Sequence, residues 1–297
     1  MASQERPSAH SGQAPNPNVA ALMTWLVPGG GHFYLGNLRT AAIGFVVIQG
    51  LYLLGVILSG GMFLEILPPE MRGRFAAALT PEAGNLGALI VHVKAYGFGE
   101  SVPRPFPGGI HLGVILTASA GILNLLLASS AHHEARRQGR ASIEGAAPNP
   151  GLMVLAGWIL PGAGHFMQGR KARAVAAFLC IASLFVLGTY LAEGSNLDRT
   201  RHFYYWAGQT FLGPMAFGAE LIHGHPLMTA TPAYADGGVV LASIAGMLNV
   251  MLLLDVYGYS DARLFGEAVA SEGDASGSHE PAQGEPVQLQ TAGEDAQ

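Results

Sequence analysis

Four stretches of this chain carry no charged residue over a length that matches, or nearly matches, the thickness of a bilayer. Nothing else in the sequence narrows the fold as much. Crossing the hydrocarbon as an α-helix takes about 20 apolar residues. Residues 41–63, 112–131 and 174–192 meet that requirement, and 238–254 approach it, with Ala235 and Tyr257 in reach of the interfaces. Inside lipid a single segment satisfies its own backbone only as a helix. The expected fold is all-α, a polytopic integral membrane protein.

Composition agrees. Of 297 residues, 50% are hydrophobic and 12% charged, against about 25% charged in an ordinary soluble domain. The formal net charge of −5, with no large Lys/Arg cluster to follow a phosphate backbone, excludes a nucleic-acid role. The single cysteine, Cys180, permits no internal disulfide. The first apolar run, VAALMTWLV, has the look of a signal-peptide core, but a related segment recurs in mid-chain, so it is read as part of the mature fold.

The chain is read as a tandem duplication. Residues 16–45 and 149–178 share 12 identities in 30 ungapped positions, where chance gives about two. A second match aligns 113–127 with 238–252, pairing Gly121 and Asn124 with Gly246 and Asn249. Repeated units of this kind define the architecture. The expected domains are a disordered N-terminal tail (1–15), membrane repeat 1 (16–140), a linker (141–148), membrane repeat 2 (149–263) and a disordered acidic C-terminal tail (264–297).

Each repeat opens on one element: Pro28-Gly29-x-Gly31-His32-Phe33-x-x-Gly36, then Pro161-Gly162-x-Gly164-His165-Phe166-x-x-Gly169. Proline and clustered glycine break a helix, and bare glycine amides can form an anion-binding nest. The expected role is mainly a tight turn between helices, with contact to a lipid headgroup, ion or substrate as the chemical alternative. The element resembles the turn of small two-helix bacterial transmembrane domains with a PG-x-G-x-x-Y-x-G pattern. Pro28, Gly29, Gly31, Tyr34 and Gly36 carry the resemblance in the first copy. Pro161, Gly162, Gly164 and Gly169 carry it in the second, where Met167 replaces the aromatic residue. The resemblance covers the first two helices of each copy and implies a membrane protein, not an activity.

Between four and six transmembrane helices, with Pro/Gly-broken segments, follow from these patterns. Six spans invert the second copy, and using the middle segments as well gives eight. Four spans leave each Pro-Gly element as a re-entrant or interfacial break. Only the four-span layout puts Arg136, Arg137 and Arg140 on the same side as Arg170, Lys171 and Arg173. With Arg6, Arg39 and Arg263 that makes nine of the fifteen Lys/Arg cytoplasmic, as the positive-inside rule favours. The middle loops are expected to lie at the interface, re-enter or cap the helices, with Trp206, Tyr204 and Tyr205 in an aromatic belt.

Few residues suggest chemistry. Asn124 and Asn249, in mid-span, are expected to act as interhelical clamps, and Gln49 as a packing residue. His32 and His165 are related by the repeat, but two ligands without a third are not a metal site. His132-His133 is expected to be solvated. His223-Gly-His225 has the ligands to bind a metal, yet loop histidines are usually incidental. No H-E-x-x-H, G-x-S-x-G or intramembrane acidic pair is present, and no cofactor, metal or catalysis is expected. The expectation is a structural, assembly or lipid-contact protein in a bacterial cytoplasmic membrane. Its partners are the bilayer and other membrane proteins or copies of itself. The alternative is a small-solute transporter or channel, since Gly/Pro-broken segments at matching positions of a repeat point to a transporter site.

Overall fold

A computed structural model describes residues 14–98, 105–139, 149–226 and 231–264, and every regular element among them is helical. The first half holds α1 (Pro17–Leu26), α2 (Gly30–Tyr34), α3 (Leu38–Leu58), α4 (Arg74–Ala78), α5 (Leu86–Tyr96) and α6 (Ile110–Gln138). The second holds α7 (Gly151–Ile159), α8 (Ala163–Met167), α9 (Lys171–Leu191), α10 (Phe203–Gln209), α11 (Pro214–His223) and α12 (Ala235–Leu264). Four of these, α3, α6, α9 and α12, are long and apolar enough to cross a membrane. Their outward faces are rich in large apolar side chains such as Val46, Ile57, Val186 and Met251, as a lipid-facing surface requires. α12 extends well beyond the 238–254 stretch, because its polar last turns pack against the end of α6 rather than entering solvent.

Each long pair meets through a glycine contact. A Cβ on Gly55 of α3 would lie 2.6 Å from the Gly113 carbonyl oxygen of α6. In the second half a Cβ on Gly188 of α9 would lie 2.7 Å from the Gly238 carbonyl oxygen of α12. Only small residues let helix backbones approach so closely, and packing of this kind drives association within lipid.

The basic clusters share one end of the bundle. Arg136 of α6 pairs with Asp261 near the end of α12. Arg170, at the head of α9, pairs at 2.7 Å with Asp255 of α12. His133, expected in solvent, is instead fully buried and lies 3.3 Å from Asp261, and His132 bonds the Tyr257 hydroxyl at 2.7 Å. The reason is tertiary: the last turns of α6 and α12 lie against each other.

The short helices meet end to end. α1 stops where Val27 is extended ahead of Pro28, the conformation that proline imposes on the preceding residue. Its last carbonyl abuts the start of α5: a Cβ on Gly87 would lie 2.0 Å from the Leu26 carbonyl oxygen. In the second half a Cβ on Gly213, which precedes α11, would lie 2.6 Å from the Trp158 carbonyl oxygen of α7. Half-helices approaching from opposite ends thus meet beside the middle of α6 and of α12. The middle segments are consequently more interior than expected. Trp206, placed by sequence in an interfacial belt, is 3% exposed; Tyr204 and Tyr205 do face outward.

Candidate functional site

A helix end leaves its last carbonyls without partners. Thr24 and Gly157 stand four residues before Pro28 and Pro161, and proline has no N–H with which to continue the ladder. The two mid-span asparagines fill that gap. Asn124 Nδ2 donates to the Thr24 carbonyl at 2.9 Å and to the Gly84 carbonyl at 3.0 Å. Asn249 Nδ2 donates to the Gly157 carbonyl at 3.2 Å and to the Phe211 carbonyl at 2.8 Å. Each amide therefore joins the end of one half-helix to the segment arriving from the other side. Three residues earlier, Gly121 and Gly246 let that segment in: a Cβ at either would lie 2.0 Å from the Pro81 or the Gly208 carbonyl oxygen. Tryptophans complete each joint, Trp25 Nε1 donating to the Ala83 carbonyl at 2.8 Å and Trp158 Nε1 to the Thr210 carbonyl at 3.2 Å.

The Pro-Gly turns have one geometry in both halves. Gly29 (φ +79°) and Gly162 (φ +83°) take the left-handed conformation, which glycine adopts without steric cost. Gly36 and Gly169 do the same beyond α2 and α8. The amides are used internally. Gly30 N–H donates to the Val27 carbonyl at 2.8 Å, Gly31 N–H to Thr24 Oγ1 at 2.9 Å and Ala163 N–H to the Leu160 carbonyl at 3.0 Å. Gly31 is closely walled, since a Cβ there would lie 2.1 Å from the Ala20 carbonyl oxygen; on Gly164 it would lie 2.6 Å from that of Met153. Phe33 and Phe166 point outward, 65% and 57% exposed.

The paired histidines have different surroundings. His165 is buried and its Nε2 lies 2.8 Å from Asp255 Oδ2, a carboxylate shared with Arg170 and, at 3.6 Å, with Arg173. His32 is equally buried, yet neither of its ring nitrogens makes a hydrogen bond of good geometry, the Leu127 backbone offering only a weak contact. Burial lowers its pKa, opposed by the nearby Glu134 carboxylate. Among the described residues, no cluster of three metal-ligating side chains includes either histidine.

His32 lines a groove of about 640 Å³ between α3, α6 and the start of α7. One end is polar: Asn37, Thr40, Ser130, Glu134, Arg137 and Asn149. Arg137 holds Glu134 at 3.0 Å, and Ser130 Oγ donates to Asn149 Oδ1 at 3.2 Å. The rest is apolar, walled by Ile43, Val47, Leu123, Leu126, Leu127 and Leu155. The polar end lies where the basic clusters gather. A second trough of about 710 Å³, beside the first Pro-Gly turn, has no charged lining residue.

Sequence reasoning missed a buried ion pair between the two halves. Arg199 Nη2 lies 3.5 Å from Glu82 Oε1, with exposures of 2% and 0%. Thr117 donates to the same carboxylate oxygen at 2.8 Å, and the guanidinium sits 4.5 Å above the Trp206 ring. Both residues fall in segments that look like polar loops, so only the fold brings them together. Gln49, read as a packing residue, accepts at 3.4 Å from Asn85 beside this pair.

A family model described as a family of unknown function (DUF6677) matches residues 19–141 and 152–267, and the chain belongs to that family. No curated protein and no solved structure matches it.

Proposed function

We propose that this DUF6677 protein is a non-catalytic, multi-pass protein of a bacterial cytoplasmic membrane that holds a phospholipid in the groove beside His32. The groove itself carries the proposal. It is amphipathic along its length, polar where the basic clusters lie and apolar towards the middle of the helices, and at the junction stands a buried imidazole without a well-formed hydrogen bond. A buried polar group without a partner is costly, and a bound headgroup would relieve that cost. Arg137 suits the phosphate, Thr40 can donate to its oxygens, and Glu134 suits an ammonium.

The scaffold is read as a tandem duplication of one unit, with four spans and two composite re-entrant segments. The family match falls in two stretches that coincide with the proposed repeats, and the glycine contacts, asparagine clamps and tryptophan bonds recur at equivalent positions. With the basic ends cytoplasmic, the copies run parallel. Parallel copies and joints stitched by hydrogen bonds support a fixed lipid-contact scaffold over the transporter alternative, which inverted repeats would have favoured.

Native mass spectrometry of the full chain, purified in mild detergent from a bacterial membrane, tests the reading. The wild type should retain one phospholipid per chain. Thr40→Trp, which fills the polar mouth, should abolish retention, while its melting temperature stays near that of the delipidated wild type. Undiminished lipid in Thr40→Trp, or none in the wild type, would overturn the proposal.

A further inference from the structure

At the end of the bundle opposite the basic clusters, three ligand-bearing side chains converge. His111 lies in the first turn of α6, Glu220 in the last turn of α11 and His225 just beyond it. Their ligating atoms all lie within 4.8 Å of one another. His111 comes from the first half of the chain and the other two from the second, so sequence spacing alone hides the cluster. His223-Gly-His225 drew attention as a pair, but His223 turns away: its ring fills the space beside Gly194, where a Cβ would lie 2.2 Å from Cε1.

Gly224 (φ +73°) and His225 (φ +54°) are consecutive left-handed residues. A non-glycine residue there is uncommon and strained. The turn swings the His225 ring back over α11, onto the Glu220 carboxylate. Glu220 is 2% exposed, and its Oε2 accepts a hydrogen bond from Trp206 Nε1 at 2.8 Å. That bond fixes the carboxylate and leaves Oε1 facing His225 Nε2 at 3.1 Å. The imidazole nitrogen is buried, and the contact does not satisfy it as a hydrogen bond. The His111 ring stacks on the His225 ring, with centroids 3.6 Å apart and planes at 15°. Two imidazoles, one buried carboxylate oriented by an indole and one unpaired ring nitrogen thus bring three donor side chains together from the two halves of the chain.

We propose that His111, Glu220 and His225 bind one divalent transition-metal ion of the zinc class. Two imidazoles and a carboxylate suit that class, whereas magnesium and calcium favour all-oxygen shells. Bonds of about 2.0–2.2 Å in a tetrahedron put ligand atoms roughly 3.4 Å apart, so on binding the two rings would unstack and turn until their in-plane nitrogen lone pairs converge on the ion. Trp206 orients the ligating carboxylate, as outer partners of metal ligands commonly do. The fourth position is left to water. The ion fastens α6 of the first half to α11 of the second, independently of the lipid groove.

The test uses the detergent-purified full chain, stripped with a chelator and titrated with Zn2+ by calorimetry and by thermal melting. The wild type should bind one equivalent and melt at a higher temperature, and Mg2+ should do neither. Glu220→Gln keeps the acceptor for Trp206, and His111→Asn and His225→Asn are conservative in size. Each should weaken zinc binding at least about 100-fold, the upper end of what loss of even an outer partner costs, and should leave the metal-free melting temperature near that of the wild type. Absence of stoichiometric binding by the wild type would overturn the proposal. So would undiminished binding in the His111→Asn/His225→Asn double variant, which would assign the metal to other histidines.

Discussion

Replacing Asn124 by leucine should destabilise the protein by about 2–4 kcal/mol. Leucine keeps the volume and removes both donors. The Thr24 carbonyl then loses its 2.9 Å partner and the Gly84 carbonyl its 3.0 Å partner. A buried carbonyl left unsatisfied costs about 1–3 kcal/mol, so two have a ceiling of about 6 kcal/mol, which the membrane lowers. Side-chain hydrogen bonds between helices in membranes average about 0.6 kcal/mol and reach about 1.7, because the unfolded chain in lipid also finds partners. The Thr24 carbonyl sits above that average, since Pro28 has no N–H to offer when the side chain is lost. Asn124→Asp should be worse than leucine, for it turns an acceptor toward two acceptors. Denaturant unfolding in mixed micelles, followed by tryptophan fluorescence, suits the question, because Trp25 and Trp158 stand at the two joints. Asn249→Leu should behave alike. A change below about 0.5 kcal/mol in Asn124→Leu would refute the clamp, since it would fall under even the average membrane hydrogen bond.

Two further outcomes follow from the buried charges and the buried imidazole. Arg199→Met strands the Glu82 carboxylate and should cost about 3–5 kcal/mol, whereas adding Glu82→Gln should recover much of it; additive losses in the same unfolding assay would refute coupling of the pair. His32 has a pKa lowered by burial, so the unfolded state binds the proton first. Its contribution to stability is full above the ordinary histidine range, near pH 6.5, and is lost as pH falls through that range towards the folded value. Melting temperatures measured from pH 7.5 down to 5 should therefore drop less in His32→Gln than in the wild type.

Much of this protein is legible from its sequence. The uncharged 41–63, 112–131 and 174–192 stretches mark α3, α6 and α9, since length and the absence of charge decide whether a helix can lie in lipid. The Pro-Gly elements announce the breaks because proline and left-handed glycine act locally. The Asn124 and Asn249 clamps follow from one argument: an amide in mid-span must find a partner. The sequence could not name that partner, because it lies 100 residues away at the end of α1. The same limit explains the misplacement of Trp206 and His133. Aromatic and basic neighbours suggest an interface, yet burial depends on what packs above.

By itself, then, the sequence determined the properties that depend on short range: which segments are helical and apolar, where helices break, and which positions recur. Tertiary structure alone decided which distant polar groups meet. Glu82 found Arg199, His111 found Glu220 and His225, and the carbonyl left free before Pro28 found Asn124. Each pairing brings buried polar groups together across more than 90 residues of chain, and no periodicity or local spacing encodes which partner a fold will bring into contact.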